Sequence, residues 1–308
     1  MKGGPIVEKI RTFAREHAVI FSILWIAAVI GVFKASGHFF SGEGVAGVVL
    51  RLALSGLILL GLYEVFGWTP RAMGLRGRGL IKGILLDWPS WIMVFIYGLI
   101  VWLVLSGNVA AMTADASQGS FVMRCVDMLK ALTPGTIAYE TALALSVGLF
   151  EESLCRGSVV NILRLAWSGT RAGAIKTALL SGLFFGLIHS MNLIGQPLTL
   201  ALLTYTLVQM AQTAGSGVLW AAIYQRTGNL LICVLAHGFM DAALFFMSGI
   251  GGTQSGVITD PTGAILIGVF EVALALFYLR KTEVDDGLKD NKEIQKTVGR
   301  DAGQLGQS

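Results

Sequence analysis

Charge is what this chain has least of. Only 14% of its 308 residues are Asp, Glu, Lys or Arg, while 54% are hydrophobic and the mean hydropathy is +0.70. A water-soluble domain carries about a quarter charged residues, so this balance excludes an ordinary soluble fold and points to lipid as the solvent. Cysteine is also scarce. Cys125, Cys155 and Cys233 sit in apolar contexts without a CxxC or paired framework, as small buried hydrophobes do. The HExxH pattern of zinc proteases is absent, because no histidine precedes a glutamate. The nearest approach to the Gly-x-Ser-Gly of rhomboid-like serine proteases, Ala214-Gly215-Ser216-Gly217, lacks the first glycine. No internal repeat signals an inverted-repeat transporter. The net charge of +4 follows the membrane topology rather than forming a nucleic-acid footprint, so no nucleic-acid partner is expected.

What remains is a succession of apolar stretches of ~20 residues, each long enough to cross a hydrocarbon core ~30 Å thick. Eight spans are expected, near 18–40, 45–67, 83–106, 136–158, 174–194, 198–224, 229–250 and 263–280. The predicted fold class is therefore all-α, a polytopic transmembrane helix bundle, in a multi-pass integral membrane protein. With the N-terminus inside, Lys2, Lys9, Arg11 and Arg15 are cytoplasmic, and so is the 68–82 link with Arg71, Arg76, Arg78 and Lys82. Arg164, Arg171, Lys176, Arg226 and the basic residues of the tail fall on the same side, against Arg124 and Lys130 outside. That bias orients the chain N-in, C-in. The first span could imitate a signal peptide, but Phe33 and Lys34 fit a cleavage site poorly and an uncleaved span is expected. The chain thus divides into a cytoplasmic N-terminal segment, 1–17, a transmembrane helical domain, 18–280, and a polar, partly disordered cytoplasmic tail, 281–308. Gly182 and Gly186, four apart, predict close approach of a neighbouring helix to the fifth span.

Ionisable groups within spans cost a few kcal/mol each on insertion scales, so each calls for a reason. On the fourth span, Glu151-Glu152-Ser153-Leu154-Cys155-Arg156 places Glu152 and Arg156 at i,i+4, where carboxylate and guanidinium pair along one face. Glu151 is turned ~100° away and lacks that partner. An unpaired carboxylate in low dielectric suits a general base, while a purely structural salt bridge is the plainer alternative. On the fifth span Phe185 and His189 are i,i+4, so the ring packs beside the imidazole. On the seventh, His237 and Asp241 repeat that spacing, and Asp241 accepts from His237. Either histidine alone reads as a satisfied core residue; their conjunction with the acidic pair is what points to a site. Arg51 is expected to snorkel and Glu64 and Asp87 to be interfacial, and Glu271 has no account at this level.

These three motifs, Glu151–Arg156, Phe185–His189 and His237–Asp241, resemble those of the CPBP intramembrane peptidases, which include CAAX endopeptidases and bacteriocin-processing and immunity (Abi) proteins. The stretch Gly217-Val218-Leu219-Trp220, followed by Tyr224-Gln225-Arg226-Thr227-Gly228 and Leu235-Ala236-His237, is similar to that family's lead-in to its third motif. The resemblance covers about residues 136–250, the motif-bearing core. It implies a metal-independent glutamate-type peptidase without a cofactor. Glu151 and His189 would activate water, His237 and the residue four later, Asp241, would stabilise the oxyanion, and Glu152 and Arg156 would shape the site. Its substrate would be a membrane-associated or prenylated peptide or membrane-protein segment. Asp241 stands where asparagine would supply an amide donor. An ionised aspartate only accepts, so Asp241 either is protonated or keeps His237 charged. Four alternatives remain: a metal site built from Glu151, Glu152, His189, His237 and Asp241; a serine protease; a Cys155 nucleophile; and a non-catalytic scaffold or immunity-type binder. Depth poses one problem, since Glu151 falls in the cytoplasmic half of its expected span and His189 late in a span running outward.

Overall fold

The computed structural model describes residues 4–37, 44–107, 121–248 and 261–280. The expected polar tail 281–308, Lys2, and the ends of the first and seventh expected spans lie outside the described residues, as do the side chains of Arg124 and Cys125. Among the described residues the structure is helical throughout, without strands. The helices are α1 Pro5–Glu16, α2 Ala18–Gly37, α3 Gly44–Phe66, α4 Leu80–Leu86, α5 Trp88–Leu105, α6 Phe121–Lys130, α7 Pro134–Glu152, α8 Asn161–Trp167, α9 Arg171–Ile188, α10 Leu200–Thr227, α11 Leu230–Ser248 and α12 Pro261–Tyr278. A π-helical segment, Ser153–Val160, joins α7 to α8, and a 3₁₀ turn, His189–Leu193, follows α9.

Local chemistry sets the boundaries. Proline opens α1, α7 and α12 and stands second in α5, where its missing N–H removes nothing a helix needs. Thr133, Thr170 and Thr199 each accept the backbone N–H three residues on, capping α7, α9 and α10 at 3.0–3.1 Å. Five segments are long and apolar enough to cross a bilayer: Ala18–Ser36, Gly44–Phe66, Trp88–Leu105, Arg171–Leu193 and Pro261–Tyr278. Their outward faces carry exposed apolar side chains such as Leu24, Leu57, Phe95, Leu183 and Val269, the surface that lipid covers in an integral membrane protein.

Three departures from the expected spans matter for the site. The third expected span is broken at Asp87 into α4 and α5, and Asp87 is fully buried. The backbone leaves helical geometry there (φ −94°, ψ 29°), with Pro89 two residues on. The N-terminal segment contains a helix, α1, held to α3 by Arg11 Nε donating to the Val65 carbonyl at 2.5 Å. Most important, the fourth span does not end at 158. α7, the π segment and α8 run on without interruption to Trp167. The π segment shifts the carbonyl register, and polar side chains fill the altered turn: Ser158 Oγ donates to the Ser153 carbonyl at 2.8 Å and Asn161 Nδ2 to that of Gly157 at 2.9 Å.

The extension resolves the depth problem. Glu151 lies roughly 16 residues before Trp167, and His189 roughly 18 after Arg171 on the returning helix. At ~1.5 Å per residue both stand about 25 Å from the connecting turn.

Glycines bring the motif helices together. A Cβ on Gly186 would stand 2.5 Å from the Met210 carbonyl, and one on Gly217 2.8 Å from Gly182 Cα, so α9 and α10 meet backbone to backbone as the Gly182/Gly186 spacing predicts. α7 and α11 do the same, because a Cβ on Gly148 would lie 2.8 Å from the Val234 carbonyl and 2.9 Å from Gly238 N. That crossing is one turn before Glu151–Glu152 and beside His237. The 67–79 link is latched beneath α11 by Asn229 Nδ2, which donates to the Arg76 and Arg78 carbonyls at 2.8 and 2.7 Å.

Candidate active site

Glu152 and Arg156 are fully buried and paired, Nη1 to Oε1 at 2.9 Å. The guanidinium also donates through Nη2 to the Gly217 carbonyl at 3.2 Å and lies over the rings of Phe185 and Trp220, 4.5 and 5.4 Å from their centroids. Arginine suits this place because its flat, delocalised charge stacks on aromatic faces while its edges donate. The i,i+4 pair read from the sequence is therefore present, and it also ties α7 to α9 and α10.

His237 stands at the centre. Its Nδ1 is 2.9 Å from Glu152 Oε1, the same oxygen that receives Arg156. Facing an ionised carboxylate, Nδ1 must carry a proton, so the orientation of the ring and its Nδ1–H are fixed together. Nε2 then faces the other two acidic side chains, Asp241 Oδ2 at 3.4 Å and Glu151 Oε2 at 3.8 Å. Trp220 stacks on the imidazole face (centroids 5.1 Å, planes 27° apart), and Phe185 meets its edge at 5.7 Å. Phe185 makes the same edge contact with His189, at 5.2 Å, so one phenyl ring separates the two histidines. His189 turns Nδ1 toward the Phe185 carbonyl at 2.9 Å, with Thr213 Oγ1 at 3.5 Å.

Glu151 behaves unlike its neighbour. Its side chain is 23% exposed against 0% for Glu152. Oε2 of each is buried without a hydrogen-bond partner, but Glu152 Oε1 receives both Arg156 and His237 at 2.9 Å. No hydrogen bond or ion pair joins Glu151 directly to His189; the imidazole beside it is that of His237. Asp241, 21% exposed, faces the same imidazole nitrogen. All seven residues singled out from the sequence thus fall in one cluster linked by named contacts.

Sequence reasoning missed three contributors. Trp220 was visible only as part of a motif lead-in, because its partner His237 lies on another helix. Arg51 does not simply snorkel: it is half-buried, donates to the Gly47 carbonyl at 3.1 Å and lies over Phe33. Glu271 accepts from Ser216 Oγ at 2.7 Å and is 7% exposed. Cys155, a conceivable nucleophile, is a free thiol only 1% exposed. Among the described residues, no three His, Cys, Asp or Glu side chains are grouped as metal ligands.

A helical membrane protein with carboxylates and imidazoles gathered inside it is the class that fold and site define. Residues 133–243, about a third of the chain, match the family of Type II CAAX prenyl endopeptidase Rce1-like proteins. The match covers all three motifs and bears out the resemblance to the CPBP/CAAX-protease family. That family is one of peptidases. No curated protein matches the chain, and no solved structure does.

Proposed function

We propose that this protein is an intramembrane endopeptidase of the CAAX-protease type, hydrolysing a peptide bond in a membrane-associated or prenylated substrate. The observation that carries the reading is Glu151 Oε2, a carboxylate oxygen sheltered from solvent, without a hydrogen-bond partner, and 3.8 Å from an imidazole nitrogen. A water in that opening meets a free acceptor and a neighbouring ring donor. Glu151 takes the proton of the attacking water, and His189, across the Phe185 ring, completes its activation as the family's scheme implies. His237 donates from Nε2 to the developing oxyanion. Because Glu152 already holds Nδ1–H, donation from Nε2 requires the imidazolium, and Asp241 at 3.4 Å is the counter-charge that supports it. Asp241 therefore serves as an acceptor rather than an oxyanion donor. Glu152 and Arg156 hold the ring and touch no substrate. No metal or cofactor enters this scheme. The bundle crosses the membrane eight times with both termini inside.

The test is cleavage of a quenched peptide panel by the detergent-purified protein, wild type against Glu151→Gln and His189→Ala, with and without chelator. Chelator-insensitive cleavage lost in both variants supports the scheme. Chelator-sensitive cleavage turns the reading to a metal site. A wild type that cleaves nothing, with Glu151→Gln still complementing in cells, leaves a scaffold or immunity-type binder.

A further inference from the structure

α9 changes pitch at the histidine it leads into. As the helix tightens into the 3₁₀ turn, the backbone N–H of His189 turns to the Gly186 carbonyl rather than to that of Phe185, four residues back. The Phe185 carbonyl accepts from the His189 ring instead, 2.9 Å from Nδ1. A second oxygen reaches the same nitrogen from another helix: Thr213 Oγ1 on α10, at 3.5 Å, the outer limit of a hydrogen bond. Its O–H is already spent on the Gln209 carbonyl at 2.7 Å, so toward the ring Thr213 can only accept. A carbonyl and an oriented hydroxyl therefore both require the hydrogen on Nδ1. Thr213, Gly217 and Trp220 stand at i, i+4 and i+7, one stripe of α10. Thr213 meets His189, Gly217 packs against Phe185 and receives Arg156, and Trp220 stacks on His237. The contacts of His189 with Phe185, through the carbonyl and the ring edge, lie within one continuous stretch of chain; Thr213 ties the ring to the helix that also faces His237.

We propose that Thr213 is a positioning residue for His189: its hydroxyl oxygen holds Nδ1–H from across the helix boundary, so that the neutral ring presents Nε2 as its accepting nitrogen. The inference rests on the reading of His189 as the group that helps Glu151 activate water. A neutral imidazole has one N–H and one bare nitrogen, and only the bare one can accept from a water. As Nε2 accepts, positive charge builds on the ring, and Nδ1–H becomes a charge-assisted donor to both oxygens. The Thr213 contact, long at rest, thus strengthens in the transition state, so its removal lowers kcat and leaves KM unchanged.

The experiment uses the full chain in lipid bilayers with ¹⁵N-labelled histidine, read by solid-state NMR at a pH where the His189 ring is neutral. With four histidines in the chain, the His189 signals are assigned by their loss in His189→Ala. The wild type is expected to show the Nδ1–H tautomer at His189, Thr213→Val a mixture of the two tautomers, and Thr213→Ser the wild-type pattern. In peptide cleavage Thr213→Val lowers kcat about fivefold, the worth of one neutral hydrogen bond, and Thr213→Ser stays within about twofold of wild type. A wild-type ring carrying its proton on Nε2, an unmoved tautomer in Thr213→Val, or full kcat in that variant overturns the proposal. So does a Thr213→Ser that behaves as Thr213→Val does. If Thr213→Val does not fold, Thr213→Ala takes its place with the same expectations. A wild type that cleaves no peptide sinks the hydrolase reading alone, and the ring spectra then decide the Thr213 contact by themselves.

Discussion

Glu151 and Glu152 are adjacent and chemically identical, yet the same substitution is expected to do opposite things at each. Glu152→Gln removes the charge from an oxygen that receives both Arg156 and His237 at 2.9 Å, in a side chain with no exposure. Breaking one partner of a buried ion pair costs about 3–5 kcal/mol, because the remaining charge stays buried and uncompensated. For a chain of this size that is a fall in Tm on the order of 10 °C. Glu151→Gln removes a charge whose Oε2 makes no hydrogen bond, in a side chain 23% exposed. Its stability effect should be within about 0.5 kcal/mol, whereas loss of the base should lower kcat about 10²–10⁴-fold. Thermal unfolding in micelles and peptide cleavage, run on both variants, separate the two effects. Equal destabilisation by the two substitutions refutes the assignment, and so does retained cleavage in Glu151→Gln.

Arg156→Lys keeps the charge but gives up the donation to the Gly217 carbonyl and the stacking on Phe185 and Trp220, and should lower stability by about 2–3 kcal/mol in the same unfolding assay. Gly148→Val places a side chain against the Val234 carbonyl and Gly238; it should separate α7 from α11, lowering both Tm and cleavage, while Gly56→Val, on an open face of α3, should leave both unchanged. Asp241→Asn keeps an acceptor beside His237 Nε2 but removes the counter-charge, and should lower cleavage about tenfold; Asp241→Ala, which removes both, should lose about 10²-fold.

The sequence was most legible where membrane burial makes a residue expensive. Glu151, Glu152, Arg156, His189, His237 and Asp241 stood out against an apolar background, and their i,i+4 spacings correctly paired Glu152 with Arg156 and His237 with Asp241. Periodicity describes one helix at a time, however. The contact that organises the site, Glu152 to His237, joins residues 85 apart, and no spacing encodes it. The same limit hid Trp220, whose ring partners are all on other helices. Helix length is hidden for a related reason: an apolar window has no mark for a π turn, so the fourth expected span ends at 158 while the helix continues to Trp167. Its polar Ser158 and Asn161 were the available signal, since both bond back to carbonyls of the altered turn.

The placement of that π turn bears on the division of roles between the glutamates. A regular helix continuing through 153–160 would carry successive side chains at ~100° steps, and Arg156 would sit almost directly over Glu152, facing one neighbour. The wider turn begins immediately after Glu152 and re-aims Arg156 so that it meets Glu152, the Gly217 carbonyl and two aromatic faces at once. Nη1 and Nη2 are thereby committed to Glu152 and the Gly217 carbonyl, and only Nε is left without a hydrogen bond. An arginine free to swing between the two carboxylates would neutralise the proposed base and loosen the ring that Glu152 holds. The irregular turn thus follows two carboxylates in different surroundings: Glu152, fully buried and bonded to Arg156 and His237, and Glu151, 23% exposed, the base in the mechanism we propose.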